Sequence, residues 1–112
     1  MLELADIEKL NRHALEGEFD ILKISYALYS QVSANYQILN SGSALGYANG
    51  PLLISKAKIY PDEVEHLHVA IPGANTTANL LLTIAYPNVK KKTELGLWKI
   101  VYLVPSPSTI IP

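Results

Sequence analysis

Residues 70–78 read Ala-Ile-Pro-Gly-Ala-Asn-Thr-Thr-Ala, and this stretch decides the fold. The apolar run from Leu67 to Ile71 is short and typical of a strand. Pro72-Gly73 indicates a turn, and apolar residues then recur at helical spacing between Ala78 and Ala85. The sequence therefore predicts a strand, a turn and a helix in direct succession.

A second junction of this kind lies at residues 23–26, which read Lys-Ile-Ser-Tyr. The bulky apolar segment from Phe19 to Ile24 predicts a strand, and the segment from Tyr26 to Asn35 has helical character. On that helix Leu28 and Val32 should face the core.

Helices and strands alternate along the chain. Asp6 as an N-cap, an apolar stripe over residues 7–15 and Gly17 predict an amphipathic first helix. Further strand candidates are Tyr36–Leu39, Pro51–Ile54 and Leu97–Val104. The alternation indicates an α/β fold with mostly parallel strands, with an internal boundary around residues 58–65 and a proline-rich tail over residues 105–112.

Composition excludes several classes of function. The 112 residues carry 9 Lys and Arg against 10 Asp and Glu, so the clustered positive field of a nucleic-acid binder is missing. The absence of cysteine excludes disulfides, thiolate metal sites and cysteine nucleophiles. Neither a signal peptide nor a continuous apolar membrane span is present in the sequence, which predicts a soluble, cytoplasmic protein without membrane partners.

The two strand-to-helix junctions are the candidate binding site. Ligands of open α/β sheets bind beyond the carboxyl ends of strands, and the first turn of a helix offers unpaired amides to carboxylates or phosphates. The hydroxyls of Ser25 and Thr76 could orient such an anion. The alternative is that both residues only cap their own helices.

Other polar groups give weaker signals. The glycine-rich segment 41–46 lacks the ending of a phosphate-binding loop and is interpreted as a structural turn. His66 and His68 should point to one face of a strand as solvated edge residues, because no third metal ligand accompanies them. No histidine has a catalytic partner, and no metal site is expected. Tyr26 and Tyr29 could stack on an aromatic ligand.

Several of these segments together resemble one enzyme family, 1,4-dihydroxy-6-naphthoate synthase of the menaquinone pathway. The resemblance extends over residues 3 to 86 and is weaker at residues 96–101. Its motifs are Asp-Ile-Glu-Lys-Leu-Asn-Arg at 6–12, Lys-Ile-Ser-Tyr at 23–26, Ser-Gly-Ser-Ala-Leu-Gly at 41–46, Gly-Pro-Leu-Leu at 50–53, Val-Ala-Ile-Pro-Gly at 69–73 and Thr-Thr-Ala at 76–78.

The resemblance implies a fold, a reaction and a set of binding residues. The fold would be two-lobed, like periplasmic solute-binding proteins, and incomplete here. Residues 1–58 would form part of the first lobe with a crossover strand, and residues 59–112 part of the second lobe. The reaction would be that of a cofactor-free lyase, which releases 1,4-dihydroxy-6-naphthoate from cyclic dehypoxanthine futalosine. The residues expected to bind this small-molecule carboxylate are Lys23, Ile24, Ser25, Thr76, Thr77 and Ala78, with Ser25, Thr77 and Ala78 in direct contact.

One family feature has no counterpart in this sequence. The proposed base of the family is a histidine in an Ile-Ile-His-Glu-like segment, whereas here Thr93-Glu94 runs straight into Leu95-Gly96. We therefore expect half of a ligand cleft, no catalytic residue and negligible activity of the chain alone. The alternatives are a non-catalytic organic-acid binding module, the sibling enzyme chorismate dehydratase, or a fragment that folds only through partner chains. Homo-oligomers are also possible.

Overall fold

The protein is described by a computed structural model that covers residues 2–44, 46–48 and 50–96. In chain order the elements are helix α1 (Ile7–Glu16), helix α2 (Tyr26–Val32), a 3-10 helix (Pro61–His66), strand β1 (His68–Ile71), helix α3 (Thr77–Ala85) and strand β2 (Lys91–Glu94). Within these ranges no helix is long and apolar enough to cross a membrane.

Helix α1 begins and ends where its sequence predicts. The Asp6 side chain accepts a hydrogen bond from the Lys9 amide at 2.9 Å, which satisfies one amide of the first turn. At the other end Gly17 adopts a left-handed conformation with φ of 69° and donates its amide to the carbonyl of Ala14. Because this conformation is costly for other L-residues, glycine is the residue that terminates the helix.

A small core joins α1 to α2. Ala14, Leu28 and Val32 are buried in one cluster, and Leu28 is fully excluded from solvent. The predicted inward orientation of Leu28 and Val32 is therefore confirmed. Tyr36 packs against this cluster, and its hydroxyl donates to the carbonyl of Phe19 at 2.8 Å.

The sheet is a parallel pair formed by β1 and β2. His68 lies opposite Lys91 and Ile71 opposite Glu94, and the Leu95 amide extends the ladder to the Ile71 carbonyl at 2.8 Å. Helix α3 connects the two strands, as parallel neighbours require. This arrangement is a small α/β unit, and the predicted strand, turn and helix around residues 70–78 are confirmed.

Three of the predicted strands are not formed. Phe19–Ile24 and Tyr36–Leu39 are irregular, and Pro51–Ile54 contains only an isolated bridge at Ile54. Leu22 and Ile24 of the first segment are partly buried against the helical core without a neighbouring strand, whereas Ile21 is exposed. The candidate strand Leu97–Val104 and the tail at 105–112 lie outside the described residues.

Strand β2 has a sequence that does not predict a strand. It reads Lys-Lys-Thr-Glu and is mostly exposed. Pairing with β1 defines it, and the Lys92 ammonium donates to the side chains of Asn79 at 3.0 Å and Thr83 at 2.8 Å on α3. Contacts with other elements therefore override the low strand propensity of the segment.

Candidate functional site

A cleft of about 1090 Å³ lies where the two predicted junctions meet. Four of the six predicted binding residues line it, namely Lys23, Ile24, Ser25 and Thr77, whereas Thr76 and Ala78 do not. The structure thus brings the first turns of α2 and α3 to one cleft, although they are far apart in the sequence.

Ser25 is buried at the base of this arrangement, just before α2. Its amide donates to Oδ1 of Asn11 at 2.9 Å, and its hydroxyl oxygen accepts from Nδ2 of Asn11 at 3.0 Å. The side chain makes no capping hydrogen bond to α2 in the described part of the chain. Because the oxygen is the acceptor in its bond with Asn11, the hydroxyl hydrogen stays available for another acceptor.

Thr77 occupies the matching place on α3. Its hydroxyl oxygen accepts from the backbone amide of Ala27 at 3.3 Å, a bond that joins the beginnings of α2 and α3. This hydroxyl, like that of Ser25, keeps its hydrogen for a further acceptor. The cleft therefore has two hydroxyl donors whose oxygens are fixed by protein N–H groups.

Thr76 has a structural role. It is only 3% exposed, and its hydroxyl donates to the Gly73 carbonyl at 2.7 Å and accepts from the Asn79 amide at 3.3 Å. The hydroxyl is fully used as the N-cap of α3, which is the alternative that the sequence left open. Thr76 does not line the cleft, and it supports the first turn of α3 as its cap.

Asn11 was missed by the sequence analysis as a residue of the site. It is fully buried on α1, and its side-chain amide joins both junctions, since Nδ2 also donates to the Asn75 carbonyl at 3.2 Å. A signal for it exists in the sequence. Asn11 falls between Ile7 and Ala14 on the apolar stripe of α1, where a polar side chain needs a partner from another segment.

A family model for menaquinone biosynthesis matches residues 2–97 of the chain, a range that includes both junctions and Asn11. The chain belongs to this menaquinone biosynthesis family.

Two relatives of the chain carry the same name, 1,4-dihydroxy-6-naphthoate synthase. The relative from Thermus thermophilus is 47% identical over 81 residues, and the relative from Streptomyces coelicolor is 36% identical over 80 residues. The alignments cover 72% and 71% of this chain but 29% and 28% of the relatives, so the chain spans less than a third of their length. No solved structure gives a significant match.

The remaining walls of the cleft are largely apolar. They include the rings of Tyr26 and Tyr29, which the sequence analysis named as candidates for stacking. Residues 41–44 of the glycine-rich segment also line the cleft, with Gly42 in a left-handed conformation at φ of 86°. The other apolar lining residues are Ile7, Phe19, Ile21, Leu22, Ile24, Tyr36, Ile38 and Leu39. Such walls suit a flat apolar ligand with a polar group at one end.

The histidines lie outside the cleft. His66 ends the 3-10 helix and His68 begins β1, so the two residues do not share a strand. Both are exposed, as predicted, and Nε2 of His68 lies 2.6 Å from the Thr93 hydroxyl. Ligand atoms of His13, Glu16 and Glu18 lie within 4.8 Å of one another at the C-terminal end of α1, but the His13 ring is already paired with Glu18.

Resolved electrostatic shifts also lie away from the cleft, at the N-terminal end of the chain. A hydrogen bond of 2.6 Å from the Lys9 ammonium lowers the pKa of Glu3, and the same bond raises the pKa of Lys9. The chemistry that the cleft offers is thus hydrogen-bond donation from Ser25 and Thr77 together with apolar contact.

Proposed function

We propose that this chain forms one side of the substrate cleft of a 1,4-dihydroxy-6-naphthoate synthase. This lyase converts cyclic dehypoxanthine futalosine to 1,4-dihydroxy-6-naphthoate. Membership of the menaquinone biosynthesis family and the shared name of the two relatives support the reaction. The observation that carries the proposal is the pair of Ser25 and Thr77 hydroxyls on one apolar cleft.

The two hydroxyls are proposed to hold a carboxylate of the ligand. Their oxygens already accept hydrogen bonds, from Asn11 and from the Ala27 amide. The hydrogen of each hydroxyl is therefore available for donation to the ligand. Donation to a charged acceptor is stronger than donation to a neutral one. The first turn of α3, where Thr77 and Ala78 lie, adds the favourable end of the helix dipole.

The apolar walls are proposed to hold the ring system of the ligand. Tyr29 is half-buried and Tyr26 is 57% exposed, so the face of Tyr26 remains available for contact. Offset stacking between aromatic rings contributes about 0.5–1.5 kcal/mol beyond the area it buries. Lys23 lines the same cleft and supports an anionic ligand through its positive charge.

Binding is proposed without turnover by the chain alone. No histidine lines the cleft in the described ranges, and the base of the resembling family lies in a segment that has no counterpart here. A general base contributes on the order of 10²–10⁴-fold to a rate, so its loss reduces turnover to a negligible level. A two-lobed fold divided into residues 1–58 and 59–112, and a cytoplasmic location, belong to the same proposal.

A non-catalytic module that binds a small organic acid is the second candidate. The observation that favours it is the same cleft, which offers donors and apolar walls but no base within the described residues. Turnover distinguishes the two candidates. Release of the naphthoate from cyclic dehypoxanthine futalosine, measured with the whole polypeptide that carries this chain, supports the lyase, and binding without release supports the module.

Titration calorimetry with 1,4-dihydroxy-6-naphthoate tests the cleft itself. Ser25→Ala and Thr77→Val each remove one donor to a charged group, a loss of about 1.5–3 kcal/mol. Affinity should therefore fall by roughly tenfold or more in each variant. Ser30→Ala and Thr83→Val, at exposed positions of α2 and α3, are the matched controls and should leave affinity unchanged. Equal affinity in all four variants contradicts the assignment.

A further inference from the structure

The turn that precedes α3 is held from outside by α1. Asn75 donates its amide to Oε2 of Glu8 at 3.3 Å and its side-chain Nδ2 to Oε1 of Glu8 at 2.9 Å. Its carbonyl accepts from Asn11 at 3.2 Å. Both backbone groups of Asn75 and its side-chain nitrogen are therefore bound to two α1 residues one turn apart.

The Glu8 carboxylate fits the turn closely. Glu8 is only 7% exposed, which is unusual for a charged residue without a compensating set of donors. A Cβ atom on Gly73 would overlap the Glu8 carboxylate, so glycine is what allows the carboxylate to approach the backbone. The contact between the Glu8 carboxylate and the turn thus depends on the missing side chain at Gly73 as well as on the Asn75 donors.

A second carboxylate holds the same turn from β2. Oε1 of Glu94 accepts from the Ala74 amide at 3.0 Å. Arg12 lies between the two carboxylates, with Nη2 donating to Glu94 at 3.0 Å and Nε 3.8 Å from Glu8. Contacts from α1 and β2 together therefore hold the turn in place, with one guanidinium between two carboxylates.

We propose that Glu8 is a positioning residue for Thr77, and this inference rests on the proposed function of the cleft. Thr76 supplies the N-cap that α3 needs, so the Glu8 carboxylate is not required to start the helix. The role of Glu8 is to fix the position in space of the first turn of α3. Two residues after Asn75, the Thr77 hydroxyl meets the Ala27 amide beside Ser25. Displacing the turn separates the two donors of the cleft.

A charge cycle between Glu8 and Asn75 tests this role at pH 7. Asn75→Asp places a second carboxylate against Glu8, and like charges at this distance repel. Glu8→Gln alone should leave the turn in place. The glutamine oxygen still accepts from the Asn75 amide, and the Asn75 side chain can rotate so that its oxygen accepts from the glutamine nitrogen. In the double variant, Glu8→Gln with Asn75→Asp, the introduced amide donates to the introduced carboxylate, and this exchange of donor and acceptor should restore the turn.

Two readouts separate positioning from general stability. The first is hydrogen exchange of the Ala27 amide, which is bonded to Thr77, compared with that of Tyr36, which is bonded to Val32 at 3.0 Å. The second is the affinity for 1,4-dihydroxy-6-naphthoate. In Asn75→Asp we expect Ala27 exchange to rise and affinity to fall, each about tenfold, with Tyr36 exchange unchanged. The double variant should return the Ala27 exchange rate and the affinity to within about threefold of the unchanged protein. Glu16→Gln, on the exposed surface of α1, should change neither quantity.

Several results would overturn the inference. One is an Ala27 exchange rate in Asn75→Asp equal to that of the unchanged protein, and another is a double variant as impaired as the single one. If Asn75→Asp does not fold, Asn75→Ala takes its place, and unchanged Ala27 exchange there also overturns it. If the unchanged protein does not bind the naphthoate, the proposed function fails, while the exchange cycle still decides whether Glu8 positions Thr77.

Discussion

The Thr77 hydroxyl and the Ala27 amide form a 3.3 Å hydrogen bond across 50 residues of sequence. Through this bond the first turn of α3 is anchored to the first turn of α2, and Ser25 and Thr77 come to line one cleft. The bond also occupies one of the two acceptor sites of the Thr77 hydroxyl oxygen. Because the Ala27 amide takes this one site, the hydroxyl hydrogen remains available to an acceptor such as a carboxylate.

Asn11→Ala should be among the most destabilising single substitutions in the chain. Asn11 is fully buried and makes three hydrogen bonds, to the amide and hydroxyl of Ser25 and to the Asn75 carbonyl. Its removal leaves buried partners unsatisfied, at a cost of about 1–3 kcal/mol for each group. We expect the free energy of unfolding, measured in urea, to fall by about 2–4 kcal/mol.

Asn88→Ala is the matched control for that measurement. Asn88 is exposed, and among the described residues its side chain donates to the Glu65 carboxylate alone. Its replacement should change the free energy of unfolding by less than about 0.5 kcal/mol. Similar losses in Asn11→Ala and Asn88→Ala would mean that the buried amide does not join the two junctions.

Gly73→Ala should destabilise the chain through steric overlap and not through backbone conformation. The added Cβ meets the Glu8 carboxylate, which must then leave Asn75. Overpacking of this kind costs about 1–3 kcal/mol. Gly50→Ala, where nothing lies within 4 Å of the added atom, is the control in the same unfolding experiment.

Combining Gly73→Ala with Glu8→Ala tests whether overlap with the Glu8 side chain causes the loss of stability. In a Glu8→Ala background the overlapping atoms are gone, so Gly73→Ala should cost much less than it does alone. Such coupling between contacting residues is what a double-mutant cycle measures. Additive costs in the double variant would show that Gly73 and Glu8 do not oppose each other.

The pH dependence of the Lys9–Glu3 ion pair has a defined sign. The pKa of Glu3 is lowered, so its stabilising effect is present above the pKa of the unfolded chain and is lost as the pH falls through the folded value. The pKa of Lys9 is raised, so its effect is lost as the pH rises through the folded value. Lys9 is exposed and Glu3 is partly exposed, so salt should weaken the effect.

Lys9→Met should therefore move the pKa of Glu3 back up toward its ordinary value. The measurement is a carbon-13 NMR titration of the Glu3 carboxyl group. Lys90→Met, which changes an exposed lysine elsewhere, should leave the pKa of Glu3 where it was. An unchanged Glu3 titration in Lys9→Met would contradict the assigned cause.

Local rules in the sequence were sufficient for the starts of the three α-helices and for the junction around residues 70–78. Asp6 and Gly17 bound α1 because capping depends on residues within a few positions of the helix end. The turn at Pro72-Gly73 and the start of α3 at Thr77 followed from the same kind of signal. The junction residues were therefore found before their neighbours in space were known.

Apart from β1, the strands and the long-range polar contacts could not be found in this way. Phe19–Ile24 has strand composition but lies on the helical core, while Lys91–Glu94 has little strand propensity and pairs with β1. A strand depends on a partner, and the sequence of one segment does not name that partner. The role of Glu8 could not be predicted for the same reason, since its hydrogen bonds are made with a turn 67 residues away in the sequence.

The most direct test of the shared cleft is an NMR titration of the nitrogen-15 labelled chain with 1,4-dihydroxy-6-naphthoate. We expect the amide signals of Ser25 and Thr77 to shift together and to saturate at one ligand concentration, with the Asn88 signal unaffected. Shifts confined to one of the two junctions, or two different saturation points, would contradict a common ligand site between α2 and α3.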